Sequence, residues 1–196
     1  IQNFPKASPA ALAEAHFLLG RAAFDQGDFK SSISHMAEAK TLDPQKYGEQ
    51  VNVLSVLSYH KLQDVNKLKE ALETLQKENP SAVARVPDVI PAWLGLQAYG
   101  MKDLETADKY MTWATQNDQL QNVKKVIWRN LAKVRLALKK YDRALVASNN
   151  FLKDEDQPYR RADGMLDKAS ILLGLGKYAD ARKTCLLYTS PSPRDA

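Results

Sequence analysis

Three histidines are the side chains of this sequence best suited to bind a metal ion or to transfer a proton: His16, His35 and His60. Metal-binding histidines on one helix usually follow each other closely, as in the His-x-x-x-His spacing of zinc enzymes. Here the first two histidines are 19 positions apart and the last two are 25 positions apart. We therefore expect each histidine to lie on the surface or in a seam between helices, and we predict neither a metal site nor a cofactor.

Motifs of other enzymes and of cation-binding proteins are missing or incomplete. The sequence contains no G-x-S-x-G, H-E-x-x-H or G-x-x-x-x-G-K-[ST] motif, and Cys185 has no second cysteine to pair with. Gly174 and Gly176 fit a turn between helices, because no strand precedes them as a phosphate loop requires. The acidic run 154–156 supplies too few oxygen ligands for a calcium loop, so we expect it to be solvated. We predict no catalytic residue and no enzymatic activity.

Composition and charge indicate a helical chain with one basic region. The 196 residues include only 8 glycines and 9 prolines, a bias that favours helices. No apolar run approaches the roughly 20 residues of a membrane-spanning helix. The net charge is +5, and residues 121–161 hold 11 lysines and arginines against 4 acidic residues. A solvated helix face explains such a stretch, and a binding patch is the alternative.

A pattern of paired helices recurs along the chain. Apolar residues at spacings of three and four on both sides of a short turn predict two amphipathic helices. Five such pairs can be aligned by taking one residue of each first helix as the reference. Successive reference residues are 36, 39, 37 and 37 positions apart. The aligned residues are Gly20, Val56, Gly95, Ala132 and Ala169. A near-constant step over five units indicates a structural repeat, in which each hairpin buries its apolar face against its neighbour.

Turn and packing residues of this repeat can also be assigned. The predicted turns are centred on Asp28, Asp64, Asp103, Lys140 and Lys177, and Asp28 can cap the helix that follows it. Small residues are expected where two helices cross closely. In the second helices these are Ala39, Ala107, Ala144 and Ala181.

The repeat resembles the tetratricopeptide repeat, a unit of about 34 residues with the pattern W-x-x-L-G-x-x-Y…A-x-x-x-F…P. The matching residues are Leu19, Gly20, Ala39 and Pro44 in the first unit, Tyr59 and Pro80 in the second, Leu94, Gly95 and Ala107 in the third, and Trp128, Leu131 and Ala144 in the fourth. The resemblance spans about residues 11–185. It implies an all-α fold, a right-handed solenoid of antiparallel helix hairpins with about five repeats.

The chain is divided accordingly into three parts. Residues 1–10 are expected to close a preceding repeat, residues 11–184 to form the solenoid, and residues 185–196 to be a non-native tail. The repeat units cover residues 11–46, 47–82, 86–120, 123–158 and 160–184, the last one truncated. The final stretch, CLLYTSPSPRDA, resembles the translated end of an adapter used to build sequencing libraries, so we expect the helical pattern to stop at Cys185 and the natural chain to continue differently.

In the tetratricopeptide family the first helix of each unit lines a concave groove that binds an extended peptide or a helix of a partner. The resemblance places eleven residues on this face: Phe17, Arg21, Phe24, Val53, Leu57, His60, Leu96, Tyr99, Arg129, Lys133 and Leu136. Arg129 and Lys133 are expected to make one end of an otherwise apolar groove basic. Family members that clamp a C-terminal carboxylate use lysines and asparagines there, and the asparagines are missing here.

The resemblance therefore implies a non-catalytic scaffold whose partner is another protein, rather than a small molecule or a nucleic acid. One alternative is an RNA-binding helical array, although such arrays repeat paired polar residues in each unit. Another is the non-catalytic repeat region of a larger enzyme. Residues 4–20 are similar to bacterial cell-envelope repeat proteins, which favours the envelope or periplasm over the cytoplasm.

Overall fold

The computed structural model describes residues 8–116 and 121–189. These residues form ten α-helices and one short 3-10 helix, and no strand occurs among them. The predicted all-α fold is confirmed. No helix within the two described ranges is both long and apolar enough to cross a membrane. The chain divides into two compact units, residues 1–87 and 88–196.

The first unit contains two helix hairpins. Its elements are α1 (Pro9–Asp25), α2 (Phe29–Leu42), α3 (Pro44–Lys61), α4 (Val65–Glu78) and the 3-10 helix Pro80–Arg85. Each α-helix packs against the next one along the chain, and the 3-10 helix packs against α3 and α4. Residues of α1, α2 and α3 form one core cluster. Its members are Ala13, Met36, Ala39, Tyr47 and Val51.

The second unit contains three hairpins. Its helices are α5 (Val89–Gly100), α6 (Leu104–Thr115), α7 (Gln121–Ala137), α8 (Tyr141–Asp154), α9 (Pro158–Gly174) and α10 (Tyr178–Thr189). Each helix packs against the next, and the first helices of the hairpins also meet, α5 with α7 and α7 with α9. One core cluster runs through this unit. It includes Met111, Ile127, Leu131, Val134 and Ile171.

The five predicted turns are confirmed, and they share one backbone conformation. Each second helix begins directly after the predicted turn centre, at Phe29, Val65, Leu104, Tyr141 and Tyr178. The residue before the centre has a positive φ in every turn: 81° at Gly27, 56° at Gln63, 64° at Lys102, 58° at Lys139 and 71° at Gly176. Glycine adopts this left-handed conformation without a steric penalty, whereas the other three residues have a β-carbon that makes it costly.

Aspartate caps close most of these turns. Asp28 and Asp64 accept hydrogen bonds from the backbone N–H three residues later, at 3.1 and 3.0 Å, and Asp103 does the same at 3.1 Å. Asp43 caps α3 in the same manner, at 3.0 Å from the N–H of Lys46. These bonds satisfy N–H groups that a helix start otherwise leaves without a partner. The predicted cap at Asp28 is confirmed.

Small residues lie where the two helices of a hairpin approach each other. A β-carbon placed on Gly20 would lie 3.0 Å from Cγ of Met36, and one placed on Gly95 would lie 2.7 Å from Cγ of Met111. The equivalent Ala132 and Ala169 are buried, as are the four alanines predicted for the second helices. The prediction that small residues lie where two helices cross closely is therefore confirmed.

Both ends of the described chain differ from the expected boundaries. Ser8 caps α1, and Pro9 and Ala10 already belong to that helix rather than to the end of an earlier repeat. At the other end, α10 continues through Cys185 to Thr189, because no glycine or proline interrupts the chain before Pro191. Residues 1–7 and 190–196, which carry most of the two terminal predictions, lie outside the described residues.

Replacing Gln63 with glycine is expected to raise the free energy of unfolding by about 0.5–1 kcal/mol, because glycine adopts the left-handed φ without strain. Urea denaturation followed by circular dichroism measures this change. Gln63→Ala serves as the control, since alanine removes the side chain but keeps the β-carbon and its strain. If Gln63→Gly and Gln63→Ala changed the free energy of unfolding equally, the left-handed φ at this position would not be the cause.

Candidate functional site

The eleven predicted groove residues all lie on α1, α3, α5 and α7, the first helices of their hairpins. None of them is buried, so each retains surface that a partner can contact. They occupy equivalent positions of the repeat. Arg21 and Phe24, for example, lie one and four residues after Gly20, and Leu96 and Tyr99 stand in the same relation to Gly95. In the second unit the equivalent face of α9 presents Leu166 and Leu173, which are 43% and 53% exposed.

The first unit brings four predicted residues together around one open cavity of about 420 Å³. Arg21 and Phe24 come from α1, and Val53 and Leu57 come from α3. Leu54 adds a further apolar side chain, and the polar lining residues are Asp25, Gln50 and Arg85. Phe24 is held by an edge-to-face contact with Phe29, at 5.4 Å between ring centroids. The cavity therefore combines a fixed aromatic wall with charged residues beside it.

Two other predicted residues of the first unit have different surroundings. Phe17 stacks on the buried Tyr47 with ring centroids 4.8 Å apart, so much of its ring packs against the core. His60 is partly buried, and this burial, together with the positive charge of Lys61, lowers the pKa of its imidazole. A lowered pKa keeps His60 neutral at pH 7. His60 therefore adds no charge to this face.

The first helices of the second unit present apolar residues together with two cations that form ion pairs. Leu96, Tyr99 and Leu136 are half-buried and pack on the core of this unit. Arg129 pairs with Asp163 at 2.9 Å and with Asp167 at 3.5 Å. Lys133 reaches Asp167 at 3.8 Å.

These ion pairs change the expected electrostatics of the groove. The two cations that were expected to make one end basic face two carboxylates on α9, so each cation is already paired with a carboxylate of the same chain. A repeat step of 37 residues relates Arg129 to Leu166, which lies between Asp163 and Asp167. The repeat register therefore places both carboxylates on the groove face of α9, but it does not give their distance from the two cations.

A second cavity, of about 240 Å³, lies beside these ion pairs in the second unit. Arg129, Lys133, Phe151, Glu155 and Arg160 are among its lining residues. Glu155 is only 4% exposed, so the expectation of a solvated acidic run is wrong for this residue. Its Oε1 accepts a hydrogen bond from the backbone N–H of Gln157 at 3.0 Å, which fixes the carboxylate at the end of α8.

Comparisons with known proteins agree with this architecture. Sequence profiles of the tetratricopeptide repeat match residues 13–46 and 129–196, together slightly more than half of the chain. A crystal structure of MamA protein is 15% identical, with 90% of each chain covered and a TM-score of 0.50, which shows the same fold. No curated protein matches the sequence.

Two further solved structures are similar at lower TM-scores. PilF of Pseudomonas aeruginosa is 18% identical over 93% of this chain and 79% of its own, with a TM-score of 0.43. BtubC (BKLC) of P. vanneervenii is 17% identical over 94% and 85%, with a TM-score of 0.46.

Proposed function

Because the chain belongs to the tetratricopeptide repeat family, whose arrays are typically non-catalytic scaffolds for protein interaction, we propose that it binds a segment of a partner protein along its first helices. The observation that carries this proposal is the cavity of the first unit. Four residues that the family resemblance places on the groove face, on two helices, line this one opening. Such convergence is what an anchor site for a partner side chain requires.

The lining residues indicate the chemistry of the partner segment. Phe24, Val53 and Leu57 offer apolar surface that is still partly accessible, so an aliphatic or aromatic side chain of the partner would be buried there. Arg21 is exposed at the edge of the cavity, where it can pair with an acidic residue next to the apolar anchor. Buried apolar anchors generally supply most of the affinity, and edge charges supply association rate and specificity.

The second unit offers apolar contacts of its own rather than a basic end. Leu96, Tyr99 and Leu136 remain partly exposed on its first helices. Because Arg129 and Lys133 are already paired with carboxylates, an acidic partner residue would have to compete with Asp163 and Asp167. We therefore assign the main recognition to the first unit.

Selection of peptides from a random library tests this proposal directly. A displayed library of random twelve-residue peptides is selected against the full chain, and the affinity of the best peptide is then measured by fluorescence anisotropy. Phe24→Ala and Leu57→Ala are each expected to weaken binding about tenfold or more, equivalent to about 1.4 kcal/mol. The loss follows from removal of apolar contact area in the anchor cavity.

Glu38→Ala is the matched control, because Glu38 is exposed on α2, the second helix of the same hairpin. Circular dichroism verifies that every variant is folded. Equal affinity of the wild-type protein and both cavity variants would overturn the proposal. A loss of peptide affinity in Glu38→Ala as large as the loss in the two cavity variants would also overturn it. An RNA-binding array would instead lose affinity steeply with added salt, whereas apolar anchoring is only weakly salt-dependent.

A further inference from the structure

Two histidines of the first hairpin face each other although they lie 19 residues apart in sequence. His16 on α1 and His35 on α2 place their Nδ1 atoms 3.0 Å apart. Their ring centroids are separated by 5.2 Å, and the ring planes are inclined by 44°. Both side chains are half-buried between the helices. A seam between helices is one of the two positions expected for each histidine, and the contact between His16 and His35 was not predicted.

This contact brings two metal-binding atoms into chelating distance. In the metal-free pair one Nδ1 donates a hydrogen bond and the other accepts it, so a single proton lies between them. Metal–nitrogen bonds of imidazole are about 2.0–2.1 Å long. Two such bonds at a right angle place their nitrogens about 3.0 Å apart, and a tetrahedral angle places them about 3.4 Å apart. The observed separation therefore suits two adjacent positions on one metal ion.

We propose that His16 and His35 form a two-histidine site for a divalent transition-metal ion of the nickel, copper and zinc group. Imidazole nitrogen suits these ions, whereas magnesium and calcium prefer oxygen ligands. In residues 8–116 and 121–189 no group of three or more His, Cys, Asp and Glu side chains could hold a metal together. Water completes the coordination shell, and the affinity is that of a two-ligand chelate.

Such a metal ion would link the two helices of the first hairpin. One ligand comes from α1 and the other from α2, so the ion binds the folded hairpin better than an unfolded chain in which the histidines are far apart. A ligand that binds only the folded state raises the free energy of unfolding. At ligand concentrations above Kd, this increase is proportional to the logarithm of the ligand concentration. The site therefore couples metal availability to the stability of the repeat that forms part of the proposed anchor cavity.

Titration with Ni²⁺ tests the site on the full chain. Isothermal calorimetry is expected to show one binding event, and His16→Gln and His35→Gln are each expected to weaken it at least tenfold. His16→Phe provides a second test of the same position, because an aromatic ring can keep the packing while removing the ligand. His60→Gln is the matched control, since it removes the third histidine of the chain from a different helix.

A spectroscopic measurement identifies the ligands directly. Electron paramagnetic resonance of the Cu²⁺ complex is expected to show two coordinated imidazole nitrogens in the wild-type protein and fewer in folded His16→Phe or His35→Gln. Binding of Ni²⁺ that is unchanged in these variants would overturn the proposal, as would the absence of binding to the wild-type protein at millimolar Ni²⁺. A loss on His60→Gln equal to that on His16→Gln would place the site elsewhere and also overturn it.

Discussion

Replacing Asp108 with alanine is expected to lower the free energy of unfolding by about 3–5 kcal/mol, the usual cost of removing one partner from a buried ion pair. Asp108 lies on α6 and is 7% exposed. Its Oδ1 accepts a hydrogen bond from Nε of Arg135 at 2.8 Å, and its Oδ2 accepts one from Nζ of Lys140 at 2.7 Å. These contacts join α6 to α7 and to the turn before α8.

The cost arises from the cation that the substitution leaves behind. Arg135 is 8% exposed, and its other nitrogens donate to Oγ1 of Thr112 at 2.8 Å and to the carbonyl of Arg143 at 3.2 Å. Each of the three guanidinium nitrogens thus donates a hydrogen bond. Without Asp108, a buried positive charge would lack its compensating carboxylate, and the protein interior solvates such a charge poorly.

Urea denaturation of single and double variants isolates this interaction. Replacing both buried partners with apolar residues, as Asp108→Leu with Arg135→Met, is expected to recover most of the lost stability, because no buried unpaired charge remains and the Lys140 side chain is exposed to water. Glu70→Ala breaks the exposed pair between Lys67 and Glu70 and serves as the control, with a much smaller expected effect. A double variant as unstable as Asp108→Ala would contradict the ion-pair explanation.

The same network predicts a dependence of stability on pH. Burial on its own raises the pKa of Asp108, but the hydrogen bonds from Lys140 and Arg135 outweigh it, so the pKa lies below its usual value. A carboxylate with a lowered folded-state pKa stabilises the protein above its unfolded pKa of about 3.9. This contribution is lost as the pH falls from there through the folded pKa. Asp108→Asn is expected to reduce the decrease in the free energy of unfolding at acidic pH, as measured by urea denaturation over a series of pH values.

Replacing Gly95 with valine is expected to destabilise the second unit by about 3 kcal/mol, because the hairpin of α5 and α6 has no room for a side chain there. A β-carbon at Gly95 would lie 2.7 Å from Cγ of Met111 and 2.9 Å from its backbone nitrogen. A flexible methionine could move its Cγ, but the backbone nitrogen belongs to α6. The helices would therefore have to separate, with loss of packing along the whole hairpin.

Thermal and urea denaturation measure this effect against a control in the same helix. Gly100 is the last residue of α5, and a β-carbon there meets no atom within 4 Å. Gly100→Ala is therefore expected to be neutral or slightly stabilising, since alanine is the better helix former. If Gly95→Val were as stable as Gly100→Ala, the close approach of α5 and α6 would not be the reason for glycine at this position.

The repeated hairpins could be derived from the sequence because their causes are local. The alternation of apolar residues and the aspartate caps depend on neighbours within a few turns of helix, and the small residues at Gly20 and Gly95 depend on the next helix of the same hairpin. The 3-10 helix Pro80–Arg85 was not predicted. It falls within the longest repeat step, of 39 residues.

The candidate site could be predicted only in part. Its helices and the positions of Arg21, Phe24, Val53 and Leu57 follow from the repeat register, because that register determines which face each residue shares. Whether such residues enclose a cavity or pack on the core depends on how two helices are rotated against each other. Phe17 and Phe24 lie on the same face of α1, yet Phe17 stacks on Tyr47 and Phe24 lines the cavity.

Charged and polar contacts between helices were decided by the tertiary structure alone. The contacts between Asp108 and Arg135, between Arg129 and Asp163, and between His16 and His35 join residues 19 to 34 positions apart. Aspartate and arginine are mostly exposed in proteins, so their types alone predicted a solvated surface. Burial became favourable only where helix packing placed opposite charges within hydrogen-bonding distance, and the local sequence does not encode that distance.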